Sequence, residues 1–332
     1  MRILVTGGAG FIGSNLVEAL LKEDRVSFVR VLDDLSTGFE RNILEFYSHP
    51  KFQFIKGDIR DFDTCLTACT DIDLISHQAA LGSVPRSIED PLTANAVNVN
   101  GSLNIFTAAK TCSVRRIVFA ASSSTYGDNS DVSKKEDRIG KPLSPYAVTK
   151  YVNELYADVF ASLYGIEYVG LRYFNVFGPK QDPSGAYAAV IPLFIKAALQ
   201  GKAPTINGDG TFSRDFTYIA NVVQANKLAL FASSNTAFTK EGQESINQIY
   251  NVAYGERTTL NELWEHIQKV VKIKLPAIHG PSRLGDIPHS LADISKAKKR
   301  LKYQPDFDVE TGLKLSYQWY ENKLVSDTIS TN

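Results

Sequence analysis

The stretch Thr6–Ser14, TGGAGFIGS, follows the β-branched run Arg2–Thr6 without a break and opens directly into residues of helical period. It reads as Gly8-x-Gly10-x-x-Gly13 or as Gly7-x-x-Gly10-x-x-Gly13, and both serve the same physics. Glycine permits positive φ in the turn, lets the backbone approach a pyrophosphate, and lets helix pack close on strand. The helix start then offers free N–H groups and a positive dipole end to an anion. A second strand closes on Asp33 in VRVLDDLSTG. A carboxylate there accepts hydrogen bonds from an adenosine ribose and repels a 2′-phosphate, so the expected cofactor is NAD. The neighbouring Asp34 is the alternative ribose partner, but it points to the other side of an extended chain. Asp58 and Ile59, in KGDIRD at the end of a third strand, suit the adenine edge; an ordinary Asp-rich turn is the competing reading.

Strand-like runs alternate with longer segments of helical period, the pattern of a parallel sheet covered on both faces. Strands are predicted at Arg2–Thr6, Phe28–Leu32, Phe52–Lys56, Leu74–His77, Arg116–Ala121 and Tyr168–Arg172, and helices at Ile12–Lys22, Thr37–Phe46, Pro91–Thr111 and Pro145–Tyr164. The fold class is therefore α/β, a doubly wound parallel (Rossmann) sheet over residues 1–175. A smaller, mixed α/β substrate lobe is expected over residues 176–332, with strands from about 214–252 (Phe216–Ile219 and Gln248–Val252) returning to the first sheet. Helices are expected there at Ile191–Gln200, Leu260–Val271 and Glu310–Asn322.

Thirty-six basic residues balance 36 acidic ones in the 332-residue chain, leaving no global electrostatic reason to bind nucleic acid or an anionic membrane. No apolar stretch approaches the roughly 20 residues that a membrane span needs. The first strand begins at once, leaving no room for a secretory leader. Three cysteines, Cys65, Cys69 and Cys112, form no metal-ligand array, and their odd number suits a reducing, cytoplasmic location. No metal site is expected.

The chemistry gathers in two later segments. SPYAVTKYVNELY places Tyr146 and Lys150 four apart, on one face of a helix. A phenol is a poor base at neutral pH, but a nearby ammonium and a positive nicotinamide both favour phenolate. Such a group takes the proton from an alcohol as hydride leaves its carbon. A Tyr-x-x-x-Lys pair alone proves little; its position after a strand ending in SSSTYG, Ser122–Gly127, is what distinguishes it.

With TGGAGFIGS, HQAA, NVNGS, SSSTYG, SPYAVTK, RYFNVFGP, SRDF and RLGD in order, nearly the whole chain resembles the extended short-chain dehydrogenase/reductases, and within them the nucleotide-sugar epimerases. AALGSVPRS, SPYAVTKYVNELYADVF, QDPSGAYAAVIP and HSLADISKA are most similar to the UDP-N-acetylglucosamine 4-epimerases. The resemblance implies that Tyr146 is the acid/base. It also implies that Lys150 binds the nicotinamide ribose and lowers the Tyr146 pKa, and that Ser122 hydrogen-bonds the reacting hydroxyl, with Ser123 and Ser124 supporting it. It implies that Gly7, Gly10, Phe11, Ile12, Gly13, Asp33, Asp58, Ile59, Gln78, Ala79, Ala80, Asn98 and Phe174 contact NAD.

For the UDP-sugar, the same resemblance implies contacts from Gly82, Ser83, Ser122, Ser123, Ala189, Val190 and Asn207. Asn175 and Arg214 would lie at the nucleotide or pyrophosphate, with Arg283 and Asp286 closing over phosphate and ribose. For Arg214 the competing reading is a surface pair with Asp215 or Asp209; for Arg283 and Asp286 it is a turn. Related epimerases limited to plain hexoses carry a bulky Tyr at the place matching Ser290. A serine there, with the small Gly82, Ser83, Ala188 and Ala189, leaves room for a 2-acetamido group; a helix cap is its alternative role. The implied reaction is removal and return of the C4 hydride on opposite faces of a transient 4-keto sugar, in a homodimer. A UDP-uronate 4-epimerase is the nearer rival, since Arg86 or His289 suits a carboxylate. A 4,6-dehydratase lacks its Asp-Glu pair, because Ser123 and Ser124 stand there. A non-catalytic NAD-binding protein is the rival from another class.

Overall fold

The computed structural model describes residues 1–185, 188–233, 247–281 and 288–329. Seven strands form one parallel sheet: β1 (Arg2–Thr6), β2 (Phe28–Asp33), β3 (Phe52–Lys56), β4 (Leu74–His77), β5 (Arg116–Ser122), β6 (Glu167–Tyr173) and β7 (Gln248–Val252). Their spatial order is β7-β6-β5-β4-β1-β2-β3. The direction of winding reverses between β1 and β4, so a crevice opens at the carboxyl ends of those two strands. The glycine loop leaves β1 at that crevice.

Side chains alternate across the sheet because a strand's period is two. Ile3, Val5, Val29, Val31 and Val118 enter one apolar cluster, with α1 (Phe11–Leu21) and the helix Ile219–Phe231. Leu4, Leu32, Ile117 and Phe119 enter the other. That face is covered by α2 (Phe62–Cys69), α3 (Ser102–Thr111) and α4 (Pro145–Tyr164). Cys65 and Cys69 are fully buried within this second cluster. Two buried ion pairs tie sheet to helices. Arg116 pairs with Glu167 and donates to the carbonyls of Ala229, Leu230 and Ala232, ending the helix Ile219–Phe231. Arg172 grips Glu154 of α4 through two hydrogen bonds of 2.9 and 2.7 Å.

Gln248–Val252 does return to the first sheet, parallel to β6. Phe216–Ile219 does not. Thr217–Tyr218 pairs with Val176–Phe177 as a separate short ribbon, and Ile219 begins a helix. The β-branched run Thr217-Tyr218-Ile219 imitates a strand, but Ala220 onward buries Val222, Ala225, Ala229 and Leu230 at helical spacing. Thr37–Phe46 is no α-helix; only two short 3₁₀ turns form, Glu40–Asn42 and Leu44–Phe46. Pro91–Thr111 is interrupted by a π turn, Ala96–Gly101, between its two α segments. Gly101 explains the fit there, since a Cβ at that position would come within 2.6 Å of Ile59.

Outside the main sheet, Ser213–Arg214 lies between Thr258–Thr259 and His289–Ser290, and Thr205–Asn207 pairs with Ile278–Gly280. The helices Val190–Leu199, Leu260–Val271 and Val309–Ile329 pack on one another, and Leu260–Val271 also meets Thr258–Thr259. Among the described residues no helix is long and apolar enough to cross a membrane.

Candidate active site

A cleft of about 390 Å³ opens along the carboxyl ends of β1, β2 and β4. Gly7, Gly10, Phe11, Ile12 and Gly13 form its floor, Asp33, Asp58 and Ile59 one end, and Gln78, Ala79, Ala80 and Gly82 the other. The glycines are required by space. Gly7 has φ +68°, and a Cβ on it would stand 2.6 Å from the Ala79 nitrogen. A Cβ on Gly13 would stand 2.1 Å from the Gly7 carbonyl oxygen. Among the described residues no side chain caps α1, so its first-turn N–H groups face the cleft floor with the positive end of the helix dipole behind them.

Asp33 accepts from the Ala9 N–H at 2.9 Å and the Leu35 N–H at 2.8 Å. Burial raises its pKa and these two donors oppose the rise. Asp34 lines the cleft too, but its carboxylate is turned to the Ser36 N–H and hydroxyl. Asp58 is held by Arg60, whose Nε donates to it at 2.8 Å and which lowers its pKa. A bare cradle, a ribose-end carboxylate and a helix start fit a dinucleotide, and NAD is the cofactor these residues would hold.

Three residues meet where β5 ends against α4. Ser144 caps α4 by accepting from the Ala147 N–H, and Pro145 occupies the first turn, where no N–H is needed. Tyr146 and Lys150 follow one turn apart. Lys150 Nζ donates to the Ala120 carbonyl at 2.9 Å, and burial pushes its pKa down to about 8. Burial likewise pushes the Tyr146 phenol up, while a hydrogen bond from Ser122 opposes it. Ser122 Oγ accepts from the Ser124 N–H and the Ser124 hydroxyl, at 3.1 and 2.9 Å. With those acceptor positions filled, its own proton is directed to Tyr146.

Two residues expected at the cofactor are engaged within the protein. Asn98 is fully buried; its amide oxygen accepts from the Leu81 N–H, and its nitrogen donates to the Leu81 carbonyl and Thr149 hydroxyl. Phe174 is fully buried against Tyr126, with ring centres 5.9 Å apart, and does not line the cleft. The alternation that carries Tyr173 toward Gln78 turns Phe174 the other way. Tyr173 was not anticipated; its hydroxyl donates to Gln78 at 3.0 Å and accepts from Asn226 at 2.8 Å.

Of the residues expected at the sugar nucleotide, Arg214 and Ser290 are paired in register on neighbouring strands. Arg214 donates to the carbonyls of Ser213 and Pro288, while Asp215 and Asp209 are engaged otherwise: Asp215 by backbone N–H groups, Asp209 by Thr211. Asn175 has φ +33° and donates to the Asp215 carbonyl. Ser83 caps the helix Val84–Glu89 with φ +113°. Ser123 lies in the 3₁₀ turn after β5, Ala189 and Val190 start the helix Val190–Leu199, and Asn207 ends a short strand. Arg283 and Asp286 lie outside the described residues. Cleft residues that lie within the quoted motifs but were given no role include Leu81, Gly38 and Asp182.

Residues 3–253 match the model of the NAD dependent epimerase/dehydratase family. The UDP-glucose 4-epimerase of Mycolicibacterium smegmatis is 36% identical over 97% of this chain and 99% of its own. The UDP-N-acetylglucosamine 4-epimerase of Methanobrevibacter ruminantium M1, solved with UDP-N-acetylmuramic acid, is 40% identical, with a TM-score of 0.88 over 97% of this chain and 98% of that one. The UDP-glucuronic acid 4-epimerase of Bacillus cereus, solved with UDP-glucuronic acid and NAD, is 32% identical, with a TM-score of 0.86 over 97% of this chain and 100% of that one.

Proposed function

The chain belongs to the NAD dependent epimerase/dehydratase family, among its UDP-sugar 4-epimerases, and from that premise we propose that it interconverts UDP-N-acetylglucosamine and UDP-N-acetylgalactosamine. The observation that supports this choice of sugar is the space at Gly82, where a side-chain carbon would meet nothing within 4 Å. Ser290, small and in register with Arg214, adds to it. A bulky residue in such a place costs about 1–3 kcal/mol per misfit, so small ones admit the 2-acetamido group.

The chemistry that NAD supplies when bound is reversible uptake of the hydride from sugar C4. Tyr146 takes the C4 hydroxyl proton as that carbon is oxidised and returns it when C4 is reduced from its other face. Its task is to hold one proton at one oxygen through the cycle. Ser122 donates its directed proton to the same oxygen. Lys150, anchored to Ala120, keeps two further N–H donors for the nicotinamide ribose and a positive charge for the phenolate. Arg214 suits the diphosphate because its fork donates twice.

The second reading, a UDP-uronate 4-epimerase, is favoured by Arg86, a cation that lines the cleft near Gly82. Rates on UDP-GlcNAc, UDP-Glc and UDP-GlcNAcA with one purified sample separate the two. Fastest turnover of the neutral N-acetylated sugar supports the proposal, and fastest turnover of the acidic one replaces it. We also infer a homodimer, since α4 presents Val148, Leu155, Val159 and Leu163 to solvent along one stripe.

A further inference from the structure

Resting on the assignment of Tyr146 as the acid/base, we propose that Ser87 is a positioning residue that couples the wall of the cleft to the catalytic tyrosine. The first turn of α4 contains one N–H that its own residues leave unserved. Pro145 has none, and Ser144 takes that of Ala147. The remaining one, on Tyr146 itself, donates to Ser87 Oγ at 3.0 Å, 59 residues away in the chain. Ser87 is 1% exposed, and its own proton goes to the Val84 carbonyl at 2.8 Å, so its oxygen faces Tyr146 as an acceptor.

The Tyr146 carbonyl is linked to the same segment through two intermediates. It accepts from the Thr149 hydroxyl at 2.8 Å, that hydroxyl accepts from Asn98 at 3.2 Å, and Asn98 clasps both backbone groups of Leu81. Both peptide groups of the tyrosine therefore lead back to residues 81–87, the segment that supplies Leu81, Gly82 and Arg86 to the cleft. Within that segment Ser83 holds φ +113°, a conformation that favours glycine and persists only where the surroundings impose it. The Ser87 N–H returns to the Ser83 carbonyl, completing the brace. A helix needing only stability would be served by a local cap; this one is tied to the wall that faces the ligand.

A displacement of about 1 Å at a reacting group costs up to about 100-fold in rate. The test uses Ser87→Cys, which keeps the size of the side chain but offers only a weak sulfur acceptor, beside Ser87→Ala. Two readouts are taken on NAD-loaded protein: steady-state kinetics against pH, and the ultraviolet titration of the Tyr146 phenol, obtained by difference from Tyr146→Phe. Lys150 from α4 and Ser122 from β5 are the groups that face that phenol. For Ser87→Cys, kcat is expected to fall about 10- to 100-fold while KM changes less than about threefold. The acid limb of kcat and the phenol titration both move to higher pH. Wild-type turnover with an unmoved titration would show that Ser87 only fills space. If Ser87→Ala does not fold, the cysteine variant decides. If the wild type turns over no UDP-sugar, the functional reading fails, and the phenol titration still decides the role of Ser87: a shift supports it and no shift overturns it.

Discussion

Lys150 Nζ stands 5.8 Å from the centre of the Tyr146 ring while donating to the Ala120 carbonyl of β5. Burial works against both charged forms at once, lowering the lysine to about 8 and raising the phenol. The Ala120 carbonyl that holds the ammonium is neutral and leaves its charge uncancelled. Burial thus favours the neutral phenol, and the groups that would favour its ionised form are Ser122, hydrogen-bonded to it, Lys150 beside it, and the positive ring of NAD when that is bound.

Lys150→Met removes the charge and keeps an unbranched side chain. The kcat is expected to fall at least about 100-fold, within the range of general acid–base contributions. The acid limb of its pH profile should move upward as the phenol loses its cation. In the wild type an alkaline limb is expected as pH rises through about 8, where Lys150 gives up its proton. Steady-state rates from pH 5 to 10 check both limbs. An acid limb unmoved by the substitution would mean that Tyr146 ionises without help from Lys150.

Ser290→Tyr fills space beside Arg214. Turnover of UDP-GlcNAc is expected to drop about 10-fold or more, the kinetic equivalent of one misfit of 1–3 kcal/mol, while UDP-Glc is spared. Competition between the two sugars in one reaction, followed by chromatography, measures the ratio directly. Equal loss on both would place Ser290 away from the acetamido group.

Asp215 is fully buried, and its carboxyl oxygens accept from the N–H groups of Tyr254, Gly255 and Ala292, joining three segments of the chain. Burial pushes its pKa up to about 7, against about 3.9 in an unfolded chain. Between those values the native state binds more protons than the unfolded one, so the contribution of this group to stability falls as pH rises through the window. Asp215→Asn places an NH₂ against one of these N–H donors and is expected to cost about 1–3 kcal/mol near pH 5. Because the variant lacks the titration, the gap should narrow toward pH 7.5. Urea unfolding at the two pH values reads it; a gap that widens would contradict the burial argument.

The exposed stripe on α4 repeats at Val148, Leu155, Val159 and Leu163, and the last is 68% exposed. Spacings of seven and four keep these side chains on one helical face, a stretch of apolar surface suited to a second copy. Sedimentation of the wild type is expected to give two chains, and Leu155→Glu with Val159→Glu one. A wild type that sediments as a single chain removes the dimer.

The glycine loop and the helix carrying Tyr146 and Lys150 were legible in the linear chain because both depend on fixed local spacings. The glycine loop sits between a strand and a helix, Tyr146 and Lys150 lie one turn apart, and Asp33 ends a strand whose neighbour carries the loop. What was not legible depends on long-range partners. Ser87 ends the motif AALGSVPRS, but the motif assigns it no role, and it acquires one only when the helix Val84–Glu89 docks on α4. Asn98 lies in a π turn, and its hydrogen bonds to the Leu81 backbone, 17 residues away, could not be read from the chain. Thr37–Phe46 has the periodicity of a helix but includes Gly38, where a Cβ would stand 2.9 Å from the Ala9 carbonyl carbon, and the chain there follows the cleft wall.

The central claim is that one phenol and one resident dinucleotide carry the sugar through a closed redox cycle. The most direct measurement incubates the purified protein, with no NAD added, with UDP-GlcNAc deuterated at C4, and follows the product by mass spectrometry. UDP-GalNAc that retains the deuterium is expected from the wild type, with turnover at least about 100-fold lower in Tyr146→Phe. Loss of the label to solvent, or undiminished turnover in the phenylalanine variant, would contradict it.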